Sequence, residues 1–166
     1  MNINYVHHQT MWIALAVSLF ISMTAAKSAP SVQGTASVID GDTIEIHGQR
    51  IRLDAIDAPE SSQLCLDAAG NRYHCGQRSS LALANVIGRS VVSCGPKGRD
   101  RYKRIIAVCF KGETNLNAWM VEQGWAVAFR KYGMDYITQE DAARLAHRGM
   151  WSGTFEMPWN WRARNR

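Results

Sequence analysis

A chain of 166 residues has room for one domain, and its 19 Lys/Arg against 14 Asp/Glu leave a net charge of +5. All of those charges fall after residue 26, so the positive surplus belongs to the body of the chain, where it favours polyanionic partners through counterion release. No internal repeat or low-complexity tract is present, which excludes a solenoid or an array.

The first 26 residues hold no Lys, Arg, Asp or Glu, and Ile13 to Met23 is a largely apolar run followed by Thr24-Ala25-Ala26. That pattern predicts a secretory signal peptide over 1–26, too short to span a bilayer, with a small-residue cleavage site. Cleavage after Ala26 would leave a domain of 140 residues, 27–166, exported to the periplasm or the medium and free of the membrane; retention of 1–26 as an uncleaved anchor is the alternative. Lys27–Gln33 then reads as a short linker rich in Ser, Ala and Pro.

Strand signals follow at Gly34–Ile39, Asp42–His47 and Arg50–Ile56, where polar and apolar residues alternate. A two-residue turn at Gly48-Gln49 would pair His47 with Arg50, set Asp42 opposite Ala55, and bring Asp57 to the same end of the hairpin. Two carboxylates, a backbone carbonyl and waters are enough for a hard cation such as Ca²⁺. Glu60 lies close by in sequence and is the residue type that orients or deprotonates a water. Arg50 and Arg52 fall between the two acidic clusters, and a guanidinium fork matches the oxygens of a phosphodiester. Five residues of extended strand span about 16 Å, so only a strongly coiled sheet brings Arg52 to Asp57.

Cys65 and Cys75 bracket a polar loop, and Cys94 and Cys109 fall in two further predicted strands, Ser90–Gly95 and Ile105–Lys111. After an export signal, disulfides are expected. Three connectivities are possible, and pairing within each set, Cys65–Cys75 and Cys94–Cys109, is the local solution, each bridge being worth about 3 kcal/mol. A zinc site on Cys65, His74 and Cys75 is the competing use, against which the adjacent His-Cys pair counts. Helical spacing marks Gly76–Gly88, Asn115–Gln123 and Gln139–Arg148, the last with Thr138 as cap and Gly149 as stop. Trp125–Tyr132 reads as extended or irregular. Trp119, Trp125 and Trp151 read as core, Trp159 and Trp161 as packing over the barrel, His47 as a solvated turn residue and His147 as lying on a helix face.

The run DGDT at 40–43, then RLDAIDAPE at 52–60, then DRYKR at 100–104, resembles the staphylococcal nuclease (thermonuclease) family. The resemblance covers roughly Val32 to Trp151. It implies an α+β protein built on a five-stranded OB-fold Greek-key barrel with about three helices. It also implies Ca²⁺-dependent hydrolysis of DNA and RNA to 3′-phosphates, with Mg²⁺ or Mn²⁺ as other candidates, and a monomer is expected. Asp42 and Asp57 match the family's metal-ligand aspartates, and Ala58 the position whose backbone carbonyl joins them. Glu60 matches the general base or water organiser, and Arg52 and Arg104 the phosphate-binding arginines. Asp40 matches the acidic residue behind the first ligand. Ala58 replaces the usual threonine, and Lys103 replaces a glycine at a turn where positive φ is common. Arg130 and Tyr132 stand at the two tyrosine positions that pack on the nucleotide, so Lys103, Arg130 and Tyr132 are the expected substrate contacts. A module of nuclease descent that binds nucleic acid or a partner without turnover is the alternative. An accessory role in cell-surface polysaccharide production is a third.

Overall fold

The structure, a computed structural model, describes residues 31–165. The signal peptide and its cleavage site lie outside the described residues, as does most of the linker.

Strands β1 (Val32–Thr35) and β2 (Ser37–Asp40) form one run interrupted at Ala36, where the Gly34–Ile39 strand was expected to be continuous. They lead into the hairpin β3 (Thr43–Ile46) and β4 (Gln49–Leu53), then a two-residue strand β5 (Ile56–Asp57). A small hairpin, β6 (Leu64–Leu66) and β7 (Arg72–His74), opens into helix α1 (Cys75–Ile87). Strands β8 (Val91–Arg99), β9 (Ile105–Lys111) and β10 (Thr114–Asn115) precede α2 (Leu116–Glu122). The chain finishes with β11 (Val127–Ala128), α3 (Ile137–Leu145), a 3₁₀ turn (Gly149–Ser152) and α4 (Pro158–Arg164).

The main sheet runs β1-β8-β9-β4-β3-β2, with β4 parallel to β9 and the other pairs antiparallel. Its two outer strands, β1 and β2, are neighbours in the chain, joined through Ala36 alone. The sheet must therefore curl until its ends approach one another. Counting β1/β2 as one bent segment, five long segments make the barrel, as the OB-like reading expects. Ile44, Ile46, Ile51 and Leu53 alternate onto the concave face and meet Leu83 and Ile87 of α1 and Leu116 and Met120 of α2, all fully or almost fully buried. Each such side chain contributes about 1.5–3 kcal/mol of burial. Trp119 and Trp125 are half-buried against this core, and Trp151 against a smaller cluster under the β6–β7 loop.

Four expectations are corrected. The hairpin turn is His47-Gly48, with φ of 50° and 73°, so Ile46 pairs with Gln49 and Thr43 with Arg52. A two-residue turn of this type needs positive φ at both central positions and places its glycine second. The slip is two residues, so every side chain keeps its face. The strand expected over Arg50–Ile56 breaks at Asp54-Ala55, where Ala55 takes a φ of 56° and β5 leaves to pair with β11. Thr138 lies inside α3, which begins at Ile137 with Tyr136 as its cap, and His147 follows the helix in a turn with φ of 50°. The fourth helix, α4, was not anticipated. Both disulfides are present as paired above, which removes Cys65 and Cys75 from any zinc site. Among the described residues no helix is long and apolar enough to cross a membrane.

Candidate active site

Asp42 ends the β2–β3 turn and is buried. Its Oδ1 accepts from Thr43 Oγ1 at 3.1 Å and from Arg52, and its Oδ2 accepts from the Ala58 amide at 2.9 Å. The Gly41 between Asp40 and Asp42 is required by space: a Cβ there would fall 1.9 Å from Ser79 Oγ on α1 and 2.8 Å from the Ala58 Cβ. Asp40 sits behind, accepting the Asp42 amide on Oδ1 at 3.0 Å. Burial, and then the neighbouring charge of Asp42, push the Asp40 carboxyl up to about 7.

The break at Ala55 solves the distance problem posed by the sequence. β5 doubles back, and Arg52 donates through Nη2 to Asp57 Oδ1 at 3.0 Å and to the Ile56 carbonyl at 3.1 Å. The same guanidinium reaches Asp42 through Nη1. Asp42 and Asp57 therefore converge on one cationic group. Burial pushes the Asp42 carboxyl up, but the charge and hydrogen bonds of Arg52 more than offset it and hold it below the usual range. In Asp57, which has no exposed surface, burial wins and the pKa is raised despite the bonds from Arg162 and Arg52. Burial of Arg52 opposes its charge, yet the two aspartates leave its pKa above the usual arginine value.

Glu60 follows Pro59 just outside β5, and Arg162 of α4 binds it. Nη1 of Arg162 donates to Glu60 Oε1 at 2.9 Å while Nη2 donates to Asp57 Oδ2 at 2.7 Å. Arg104 stands before β9. Its Nε donates to Asp100 at 2.8 Å and its Nη1 to Thr43 Oγ1 at 3.3 Å, which places it beside the Asp42 turn. Asp42, Arg52, Glu60, Arg104 and Arg162 line a cleft of about 840 Å³ in which seven Arg/Lys outweigh five Asp/Glu, so it presents a positive field to a polyanion, while Asp57, fully buried, is not part of its lining. Tyr132 also lines it, edge-on to Phe129 at 5.0 Å, and Phe129 stacks on Trp159 at 5.5 Å.

Two expected contacts are placed differently. Lys103 has a φ of 66°, the conformation the replaced glycine supplies, but its side chain is exposed and outside the cleft lining. Arg130 is also outside it. Its Nη2 donates to the fully buried Glu140 at 2.6 Å, and Glu140 accepts the Ala128 amide at 3.1 Å.

Among the described residues, no three His, Cys, Asp or Glu side chains cluster as a ready-made metal site. The donors that do converge are carboxylate oxygens of Asp42 and Asp57, with the Ala58 backbone beside them. Hard oxygens gathered round a position that already attracts a cationic group fit a hard divalent cation.

A family model described as staphylococcal nuclease homologue matches residues 50–153. The chain belongs to the staphylococcal nuclease family. It is 43% identical over 116 residues to a succinoglycan biosynthesis protein, ExoI, of Rhizobium meliloti, which covers 69% of this chain and 60% of that relative. The chain thus spans less than two thirds of that protein. It is 34% identical to a micrococcal nuclease of Shigella flexneri, over 90% of each chain. It is 31% identical to an uncharacterized endonuclease of Haemophilus influenzae, over 89% of this chain and 84% of the relative.

The stretch matched by the staphylococcal nuclease model contains Arg52, Asp57, Glu60 and Arg104. Asp42 precedes it, and Arg162 and Trp159 follow it. Arg162 is the side chain that sequence reasoning missed. The only signal was a basic cluster near 162–166, and nothing in its spacing connects it to an aspartate 105 residues away.

Proposed function

We propose that this staphylococcal nuclease homologue is an exported, calcium-dependent nuclease that hydrolyses phosphodiester bonds of DNA and RNA. The observation that carries the reading is the convergence of Asp42 and the fully buried Asp57 on Arg52, beside a cationic cleft that Asp42, Arg52, Glu60 and Arg104 line. Asp42, Asp57 and the Ala58 carbonyl would hold the cation. When bound, Ca²⁺ supplies charge neutralisation at a phosphate oxygen and eases deprotonation of water. Mg²⁺ or Mn²⁺ would suit the same oxygens less closely.

The chain's own residues supply the rest. Glu60, partly exposed at the cleft wall, orients or deprotonates the attacking water. Arg52 and Arg104 grip the phosphate and stabilise the charge that builds on its oxygens in the trigonal-bipyramidal transition state. Asp40 fixes the Asp42 turn from behind. Tyr132 offers a face to a nucleotide ring. Attack at phosphorus with loss of the 5′-oxygen leaves 3′-phosphates. The two disulfides and the predicted signal peptide support a periplasmic or secreted location.

Digestion of a DNA duplex by the purified, oxidised chain, in millimolar Ca²⁺ against a chelator, tests this directly. Cleavage should require the cation and should fall at least about 10²-fold in Glu60→Gln, Arg52→Ala and Arg104→Ala. Wild-type rates in all three folded variants would refute the mechanism. Binding without cleavage in Ca²⁺, Mg²⁺ or Mn²⁺ would favour the non-catalytic module, a reading that gains from both Asp57 oxygens being held by arginines. The relative named for succinoglycan biosynthesis supports a setting in polysaccharide production, which concerns biological role more than chemistry.

A further inference from the structure

The arm that follows the matched stretch is built into the molecule. Leu66 and Thr154 exchange backbone hydrogen bonds of 2.8 and 3.1 Å, and Gln63 Nε2 donates to the Glu156 carbonyl at 2.7 Å. Met157 and Trp159 pack on the cluster that holds Cys65 and Cys75, and Pro158, buried, starts α4 at a position where a missing amide costs nothing. This docking aims Arg162 at the cleft floor.

There its fork joins two carboxylates of different roles. Among the described side chains, Arg162 alone bonds the Glu60 carboxylate, which is otherwise 39% exposed and free to change rotamer. On the other side it takes Asp57 Oδ2, while Arg52 takes Oδ1. Any cation at Asp57 therefore meets the positive charge of Arg162 at the adjoining oxygen.

We infer that Arg162 is a positioning residue for Glu60 and at the same time contests Asp57 with the divalent cation. The inference deepens the nuclease reading and rests on it. It makes two effects of opposite sign. Removing the charge relieves repulsion of the cation and strengthens its binding. Removing the fork frees Glu60 and slows turnover. Damage to the fold would weaken both together. Lysine separates the two, since it keeps a point charge but cannot grip two carboxylates in one plane.

The test uses the full oxidised chain, with calorimetric titration of Ca²⁺ in the absence of nucleic acid and separate kcat and KM for DNA cleavage. Arg162→Gln should bind Ca²⁺ at least about threefold more tightly while kcat falls at least about tenfold. Arg162→Lys should return Ca²⁺ affinity toward wild type without restoring kcat. Unchanged or weaker Ca²⁺ binding, or retained kcat, in folded Arg162→Gln overturns the inference. Should that variant not fold, wild-type kcat in Arg162→Lys overturns it instead. A wild-type chain that binds Ca²⁺ but cleaves nothing sinks the nuclease reading, and the calorimetry still decides the contest for Asp57. A wild-type chain that binds no Ca²⁺ overturns the contest itself.

Discussion

The Cα of Gly76, in the first turn of α1, lies so close to the carbonyl oxygen of Glu60 that a Cβ built there would fall 1.9 Å from it. Backbone on backbone leaves no flexible side chain to yield. Gly76→Ala should therefore cost about 2–3 kcal/mol and push the Pro59-Glu60 segment away from Arg162, lowering cleavage with it. Gly98→Ala is the control, since a Cβ there meets nothing within 4 Å. Denaturant unfolding of the two variants checks the difference, and equal stabilities would show that the 60–61 segment can move freely.

A second support lies under the turn that returns Asp57 to Asp42. Asn117 of α2 is fully buried and holds three backbone groups. Its Oδ1 accepts the Cys109 amide at 3.0 Å, and its Nδ2 donates to the carbonyls of Asp54 at 3.0 Å and Ala107 at 3.2 Å. Asn117→Leu keeps much of the volume but strands the Cys109 amide and the Asp54 carbonyl, for about 3 kcal/mol or more. Faster hydrogen exchange at Cys109, together with weaker Ca²⁺ binding, is the expected result. Loss of stability with Ca²⁺ binding intact would show that the turn holds its shape without this side chain.

The same elements show where sequence reading succeeds and where it stops. Ile105–Lys111 matches β9 residue for residue, and α1 differs from its expected span by one residue at each end, because period and stop signals are local. The barrel faces survived a wrong hairpin turn, since a two-residue slip changes partners without changing sides. Local pattern does not reveal that Ala55 adopts positive φ. That conformation is held by distant groups, with Phe129 donating to the Ala55 carbonyl at 2.8 Å and Asn117 gripping Asp54. Arg130 was expected at the substrate because of its place in the chain, but the buried Glu140 needs a cation and takes it. Arg162 is the extreme case, a contact that exists only once the arm is docked.

Acid should weaken the β8–β9 turn. Burial pushes the Asp100 carboxyl up, but hydrogen bonds from the Arg104 side chain and backbone, its charge, and the Tyr102 amide more than offset this and hold it below the usual range. A folded pKa below the unfolded one contributes stability that is present above the unfolded value, roughly 3.9. That contribution is lost as the pH falls through the folded value. Asp100→Asn should therefore be less stable than wild type at neutral pH and should converge on it below about pH 4. Thermal melts across that range decide it, and a constant difference between the two proteins would assign the cost to lost hydrogen bonds alone.

The two disulfides should differ in what they protect. Cys94 and Cys109 face each other in the β8–β9 ladder, inside the barrel core. Cys65 and Cys75 close the β6–β7 loop, whose Leu66 pairs with Thr154 and so anchors the arm carrying Arg162. Replacing either pair by serines should cost about 2–4 kcal/mol globally. Only the Cys65→Ser/Cys75→Ser protein should also open locally, because the arm's footing lies on that loop and not on the barrel. Limited proteolysis read by mass spectrometry should then show early cuts within 153–165, at a rate above that of global unfolding. The Cys94→Ser/Cys109→Ser protein should lose the arm only when the barrel unfolds. Equal arm protection in the two variants would mean that Trp159 on Phe129 and Gln63 on Glu156 hold α4 without the loop, and that Arg162 is positioned independently of the redox state of Cys65 and Cys75.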